Sequence, residues 1–142
     1  MAAFERCVVL VADDEPGILE IVSRALARHG YEVISAPDGT SALRACQERA
    51  GPIHLAVLDI MMPGMTGPEL FISLQGIHPD IEVLFMSGYR PERILEFAPT
   101  LTSANFIAKP FLPRALVERV NQVLGNVDVC VLLDDEEKLA KA

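Results

Sequence analysis

Apolar positions along this chain fall into short unbroken runs that alternate with segments where they recur every three or four residues. The first run, Cys7-Val8-Val9-Leu10-Val11-Ala12, is rich in β-branched residues, as expected of a strand covered on both faces. It ends in Asp13-Asp14-Glu15, and Pro16 opens a segment in which Ile18, Leu19, Ile21, Val22, Ala25 and Leu26 repeat at helical spacing until His29-Gly30. Glu32 to Ala36 reads as a second strand. Pro37-Asp38-Gly39 is a turn, with Asp38 placed to cap a helix from Thr40 to Arg49. Gly51-Pro52 then breaks the chain, and Ile53 to Leu58 is a third strand ending at Asp59. A loop with Pro63, Gly64 and Gly67 leads to a helix from Pro68 to Gly76. The fourth strand, Ile81 to Met86, runs into Ser87-Gly88-Tyr89. From Arg90 to Ser103 the periodicity weakens, with a short helix over Pro91 to Phe97 stopped by Pro99. Asn105 to Ala108 is a fifth strand ending at Lys109-Pro110, and Leu112 to Leu124 is an amphipathic helix closed by Gly125.

Strands alternating with helices in this way predict an α/β fold, a five-stranded parallel sheet with right-handed crossovers and helices on both faces. No linker or internal repeat divides residues 1–125, which read as one domain. Residues 126–142 read as an extension of undecided structure, with a short apolar run (Val129 to Leu133) before the acidic Asp134-Asp135-Glu136-Glu137. Although 51% of the residues are hydrophobic, no run approaches the roughly 18 residues of a membrane span, so no membrane insertion is expected. Met1 to Arg6 lacks the pattern of a secretory signal, which points to the cytoplasm. Cys7, Cys46 and Cys130 are odd in number and widely spaced, as free thiols would be in a reducing compartment. The net charge of −8 comes without a basic cluster, which argues against nucleic acid as a direct partner.

The chemistry collects at the strand ends. Asp13 and Asp14, then Asp59, then Ser87, then Lys109 each follow a strand, and in a parallel sheet those carboxyl ends share one edge, where ligands bind. Three crowded carboxylates repel and raise one another's pKa unless a cation joins them. Oxygen donors without His or Cys favour a hard ion, Mg²⁺ above all, which usually takes one or two carboxylates and completes its shell with water and phosphate. Phosphoryl chemistry follows, with a carboxylate able to act as acceptor and a lysine and a hydroxyl to stabilise the transferring oxygens.

Four stretches, Val9-Leu10-Val11-Ala12-Asp13-Asp14-Glu15-Pro16, Asp59 to Gly67, Met86-Ser87-Gly88-Tyr89 and Phe106-Ile107-Ala108-Lys109-Pro110-Phe111, together resemble the receiver domain of two-component response regulators. The likeness runs from Cys7 to Leu124 with the motifs in order. It implies a flavodoxin-like strand order 2-1-3-4-5 and a phosphorelay role: Asp59 accepts a phosphoryl group from a phosphohistidine. It further implies that Asp14 binds Mg²⁺ directly and Asp13 mainly through water, with Asp59 and the Met61 carbonyl completing the protein's metal ligands. Ser87 and Lys109 would contact the phosphoryl oxygens, and Phe106 would hold the switch-aromatic position, with Ser87 as its switch partner. The Lys109-Pro110 bond is expected to be cis. The implied partner is a sensor histidine kinase or a histidine phosphotransfer domain, with a homodimer a further option. The Met-Ser-Gly-Tyr and Phe-Ile-Ala-Lys-Pro-Phe motifs resemble receivers attached to hybrid sensor kinases, and the weak segment from Arg90 to Ser103 departs from the family.

Plainer readings exist for every one of these residues. A lone strand-ending Asp is a turn residue or cap, Ser87 a turn residue, Lys109 a solvated charge, and Phe106 ordinary core. Met61, Met62 and Met65 are more simply loop methionines covering apolar surface than a soft-metal site. His29, His54 and His78 have no mutual spacing that assigns a role. Two other functions compete with the phosphoacceptor: a Mg²⁺-dependent aspartyl-phosphate phosphatase, and a receiver-derived interaction module that no longer uses phosphate. The phosphatase needs a second acid beside the acceptor, and Met61 holds the position two residues on. The phosphate-independent module has no need of the retained side chains.

Overall fold

The computed structural model describes residues 7–88 and 105–125. In chain order these form β1 (Val8–Ala12), α1 (Pro16–Arg28), β2 (Glu32–Ala36), α2 (Gly39–Glu48), β3 (Leu55–Asp59), α3 (Gly67–Ile77), β4 (Glu82–Ser87), β5 (Phe106–Ala108) and α4 (Pro113–Val123). The short helix expected over Pro91 to Phe97 and the extension from residue 126 lie outside the described residues. All five strands pair in parallel, in the order β2-β1-β3-β4-β5.

Side-chain alternation explains why the central strands β1 and β3 are apolar almost throughout. On one face of the sheet Val8, Leu10 and Ala12 of β1 and Ala56 and Leu58 of β3 pack with Ala42 and Cys46 of α2 and Leu70 and Leu74 of α3. On the other, Val9, Val11, Leu55 and Val57 meet Val22 and Leu26 of α1 and Leu116, Val117 and Val120 of α4. A strand covered on both sides has no solvent face to make polar. The described helices therefore flank the sheet two and two, and none of them is long and apolar enough to cross a membrane.

Local chemistry sets the element boundaries. Asp38 caps α2 by accepting the Ser41 N–H at 2.7 Å. Pro16 opens α1, and Gly30, at φ 92°, lets the chain leave it. β3 begins at Leu55 rather than Ile53 because His54 pairs with β1 through its ring: Nδ1 accepts the Val8 N–H at 2.9 Å, while the His54 N–H donates to the Val8 carbonyl. Two strands run one residue further than the apolar runs suggest, so that Asp59 and Ser87 are themselves the last residues of β3 and β4. Their backbones are thus fixed by the ladder. The Lys109-Pro110 bond is cis, as expected.

Candidate functional site

The sheet register brings the strand ends together. Asp59 sits opposite Met86, and Ser87 opposite Ala108, which precedes Lys109. Three further main-chain bonds carry the ladder into the loops: Ile60 N–H to the Met86 carbonyl (3.1 Å), Lys109 N–H to the Ser87 carbonyl (2.8 Å) and Asp13 N–H to the Ala36 carbonyl (3.3 Å). The candidate side chains thus leave a hydrogen-bonded edge. α3 is pinned beneath this edge by a reciprocal cap, Thr66 Oγ1 accepting the Glu69 N–H and Glu69 Oε1 accepting the Thr66 N–H. Its first residue, Gly67, passes so close that a Cβ there would stand 2.4 Å from the Asp59 carbonyl oxygen.

An open cleft of about 530 Å³ lies over this edge, lined by Asp14, Glu15, Ile18, Asp59, Met61, Ser87, Gly88, Lys109 and Pro110. Asp13 is fully buried, Asp59 is 7% exposed and Asp14 faces solvent. Carboxylate oxygens of all three lie within 4.8 Å of one another. The Lys109 ammonium reaches into the group, 2.8 Å from Asp13 Oδ2, 3.3 Å from Glu15 Oε1 and 3.5 Å from Asp59 Oδ1. Asp13 uses its other oxygen to accept the Glu15 N–H at 2.9 Å.

The electrostatics follow from this crowding. Burial first, and the charge of Asp13 second, push the Asp59 carboxyl up from 3.8 to about 7, with Lys109 only partly offsetting them. Burial works against the Lys109 charge too, but the hydrogen bond to Asp13 and the charges of Asp59 and Asp13 outweigh it and raise its pKa. One ammonium among four carboxylates leaves the site net negative, and the three clustered ligand atoms of Asp13, Asp14 and Asp59 are all carboxylate oxygens. Such a set suits a hard divalent cation and a phosphoryl group.

Of the residues singled out in the sequence, Asp13, Asp14, Asp59, Ser87 and Lys109 meet at one place, and Met61, an exposed residue, lines the cleft. Phe106 does not line it. That ring packs, half-buried, against the core on the α2 and α3 face, while its carbonyl accepts a hydrogen bond from Arg119 of α4. The sequence reading missed Glu15, a member of the same acidic turn that contributes a second partner for Lys109. It also missed the cap formed by Thr66 and Glu69, although Thr-x-x-Glu before an apolar segment is its signature.

A family model described as the response regulator receiver domain matches residues 9–121. The chain is 35% identical to the sensor kinase CckA of Brucella abortus (strain 2308) over 120 residues, 84% of this chain and 13% of that protein. With the response regulator RR06 of Streptococcus pneumoniae serotype 2 it shares 37% identity over 116 residues, 82% of this chain and 52% of the relative. It therefore spans about half of that relative and a small part of the kinase. The structure of the chemotaxis protein CheY4 of Vibrio cholerae superposes with a TM-score of 0.72 at 31% identity, over 84% of this chain and 99% of CheY4.

Proposed function

Because the chain belongs to the response regulator receiver family and so is a regulatory module of two-component signalling, we propose that Asp59 is its phosphoacceptor. The observation that supports this reading most directly is the position of the Asp59 carboxylate: all but buried in the cleft, with Lys109 Nζ 3.5 Å away and Asp13 and Asp14 oxygens within 4.8 Å. The donor is a phosphohistidine of a sensor kinase or phosphotransfer domain. A carboxylate oxygen of Asp59 attacks phosphorus, an O–P bond forms, the N–P bond breaks and the histidine nitrogen leaves with the electron pair. Hydrolysis of the aspartyl phosphate later returns the free carboxylate, and no external metabolite is turned over.

The protein's own groups prepare this step. Lys109 is held positive with its ammonium 3.5 Å from the acceptor, and Ser87 on the adjoining strand end is the hydroxyl we assign to a phosphoryl oxygen. Asp14, facing solvent, and Asp59, with the Met61 carbonyl, are the proposed direct ligands of Mg²⁺, and buried Asp13 acts behind them through water. The ion, when bound, supplies positive charge to the crowded carboxylates and the phosphoryl oxygens. Ser87 and Phe106 then form the proposed switch: a change at Ser87 travels along the β4 and β5 pairing to the half-buried ring. Residues 1–125 are the receiver in this reading and 126–142 its acidic extension. The likeness to a sensor kinase fits the receiver of a hybrid kinase, working in the cytoplasm.

Incubation with Mg²⁺ and acetyl phosphate should add one phosphoryl group, seen by intact mass, and Asp59→Asn should abolish it while leaving circular dichroism unchanged. Uptake by the Asn variant at the normal rate would move the acceptor elsewhere. Sustained hydrolysis of phosphomonoesters would instead favour a phosphatase, a role for which the exposed Met61 thioether offers no proton to a leaving group.

A further inference from the structure

Glu15 occupies the N-cap position of α1, yet its side chain makes no capping hydrogen bond. It turns instead to Lys109, with Oε1 3.3 Å from Nζ. The backbone holds it there, because the Glu15 N–H donates to Asp13 Oδ1 while Asp13 Oδ2 holds the same ammonium at 2.8 Å. An ammonium has three N–H donors. In this structure its three carboxylate neighbours are Asp13, Glu15 and, furthest away at 3.5 Å, Asp59. Its two hydrogen bonds go to Asp13 and Glu15, so a phosphoryl oxygen arriving at Asp59 competes with these two carboxylates for the ammonium. Asp13 is fully buried and doubly bonded, whereas the Glu15 side chain is 63% exposed and free to swing into water.

We propose that Glu15 is a positioning residue that holds Lys109 back from Asp59 in the unphosphorylated protein and releases it when a phosphoryl group enters the cleft. The inference rests on the phosphoacceptor reading above. The contact is an exposed ion pair, so its loss should ease capture by about two- to fivefold. Glu15→Gln removes the charge. Glu15→Asp keeps the charge, but its shorter side chain cannot span the same distance and is suited to cap α1 instead.

The test measures beryllofluoride half-saturation and the rate of phosphorylation by acetyl phosphate at saturating Mg²⁺, on the full chain. Both variants are expected to bind beryllofluoride more tightly and to react faster than wild type by that factor, with unfolding midpoints that scarcely move. No change in Glu15→Gln overturns the proposal. So does a gain in Glu15→Gln with wild-type behaviour in Glu15→Asp, because charge at the cleft mouth alone would then explain it. Failure of the wild type to bind beryllofluoride or gain mass at Asp59 defeats the phosphoacceptor reading itself, and the proposal with it, and is recognised because it precedes any comparison of variants.

Discussion

Asp59 is held where its charge is disfavoured. Removal from water dominates, the Asp13 carboxylate adds to it, and the carboxyl is raised from 3.8 to about 7. For an acid raised in the folded state, the native protein keeps a proton that the unfolded chain has already released across that interval. Stability in the absence of metal therefore falls as pH rises from about 4 to about 7, and stays low above it. Asp59→Asn removes the titration. It should stabilise the metal-free protein by roughly 1–3 kcal/mol at pH 8, with the difference shrinking toward zero near pH 4. Urea unfolding in EDTA at the two pH values measures this, and an equal difference at both would mean that ionisation of Asp59 carries no such cost. The crowding was legible in the sequence, since three acids were expected at one sheet edge. That burial outranks repulsion as its cause was not, because the depth of Asp59 depends on how α3 passes beneath β3.

That passage is an element-scale device. The reciprocal cap at Thr66 and Glu69 fixes where α3 starts, and Gly67 allows the start to lie against the Asp59 backbone. Thr66→Ala should cost about 1 kcal/mol by stripping one of the two bonds and loosening the other. Gly67→Ala is more severe, because its new methyl group would press on main chain, which cannot rotate away. A loss of roughly 1–3 kcal/mol is expected, with slower phosphorylation as Asp59 shifts. Gly76 near the other end of α3 is the internal control, as a Cβ there meets nothing within 4 Å. Gly76→Ala should be neutral or gain up to about 1 kcal/mol. Chemical denaturation of the three variants decides the matter, and equal effects of the two glycine changes would remove the close approach as a constraint. Elements of this kind were only half legible. Unbroken apolar runs located the central strands β1 and β3, because burial on both faces leaves no other pattern, while the edge strand β2 showed a mixed one. The runs could not reveal that Asp59 and Ser87 belong to the strands, nor that the His54 ring takes the place of a ladder bond, since both depend on a neighbouring strand. Phe106 stayed ambiguous for the same reason: an aromatic in an edge strand has the same pattern whether it packs or switches.

At the scale of the whole molecule the parallel sheet joins residues that the chain keeps far apart; Lys109 and Asp13 are 96 positions apart yet 2.8 Å from contact atom to contact atom. This convergence was readable from topology alone, because every strand of a parallel sheet ends at the same edge. What topology could not foresee was how differently the acids are buried. Asp14 faces solvent, whereas Asp13 is buried and holds both Lys109 and the turn at Glu15. A ligand that binds only the folded state stabilises it by RT ln(1 + [L]/Kd), so Mg²⁺ should raise the unfolding midpoint of the wild type. Asp14→Ala should leave the metal-free midpoint nearly unchanged and lose most of that rise. Asp13→Asn should behave differently: about 1–3 kcal/mol less stable without metal, because a charge-assisted bond to Lys109 is weakened at a buried position, yet still responsive to Mg²⁺. Thermal unfolding with and without Mg²⁺ separates the two patterns. If Asp13→Asn proved as stable as wild type but indifferent to Mg²⁺, the inner acid would be the principal ligand and the solvent-facing one its support.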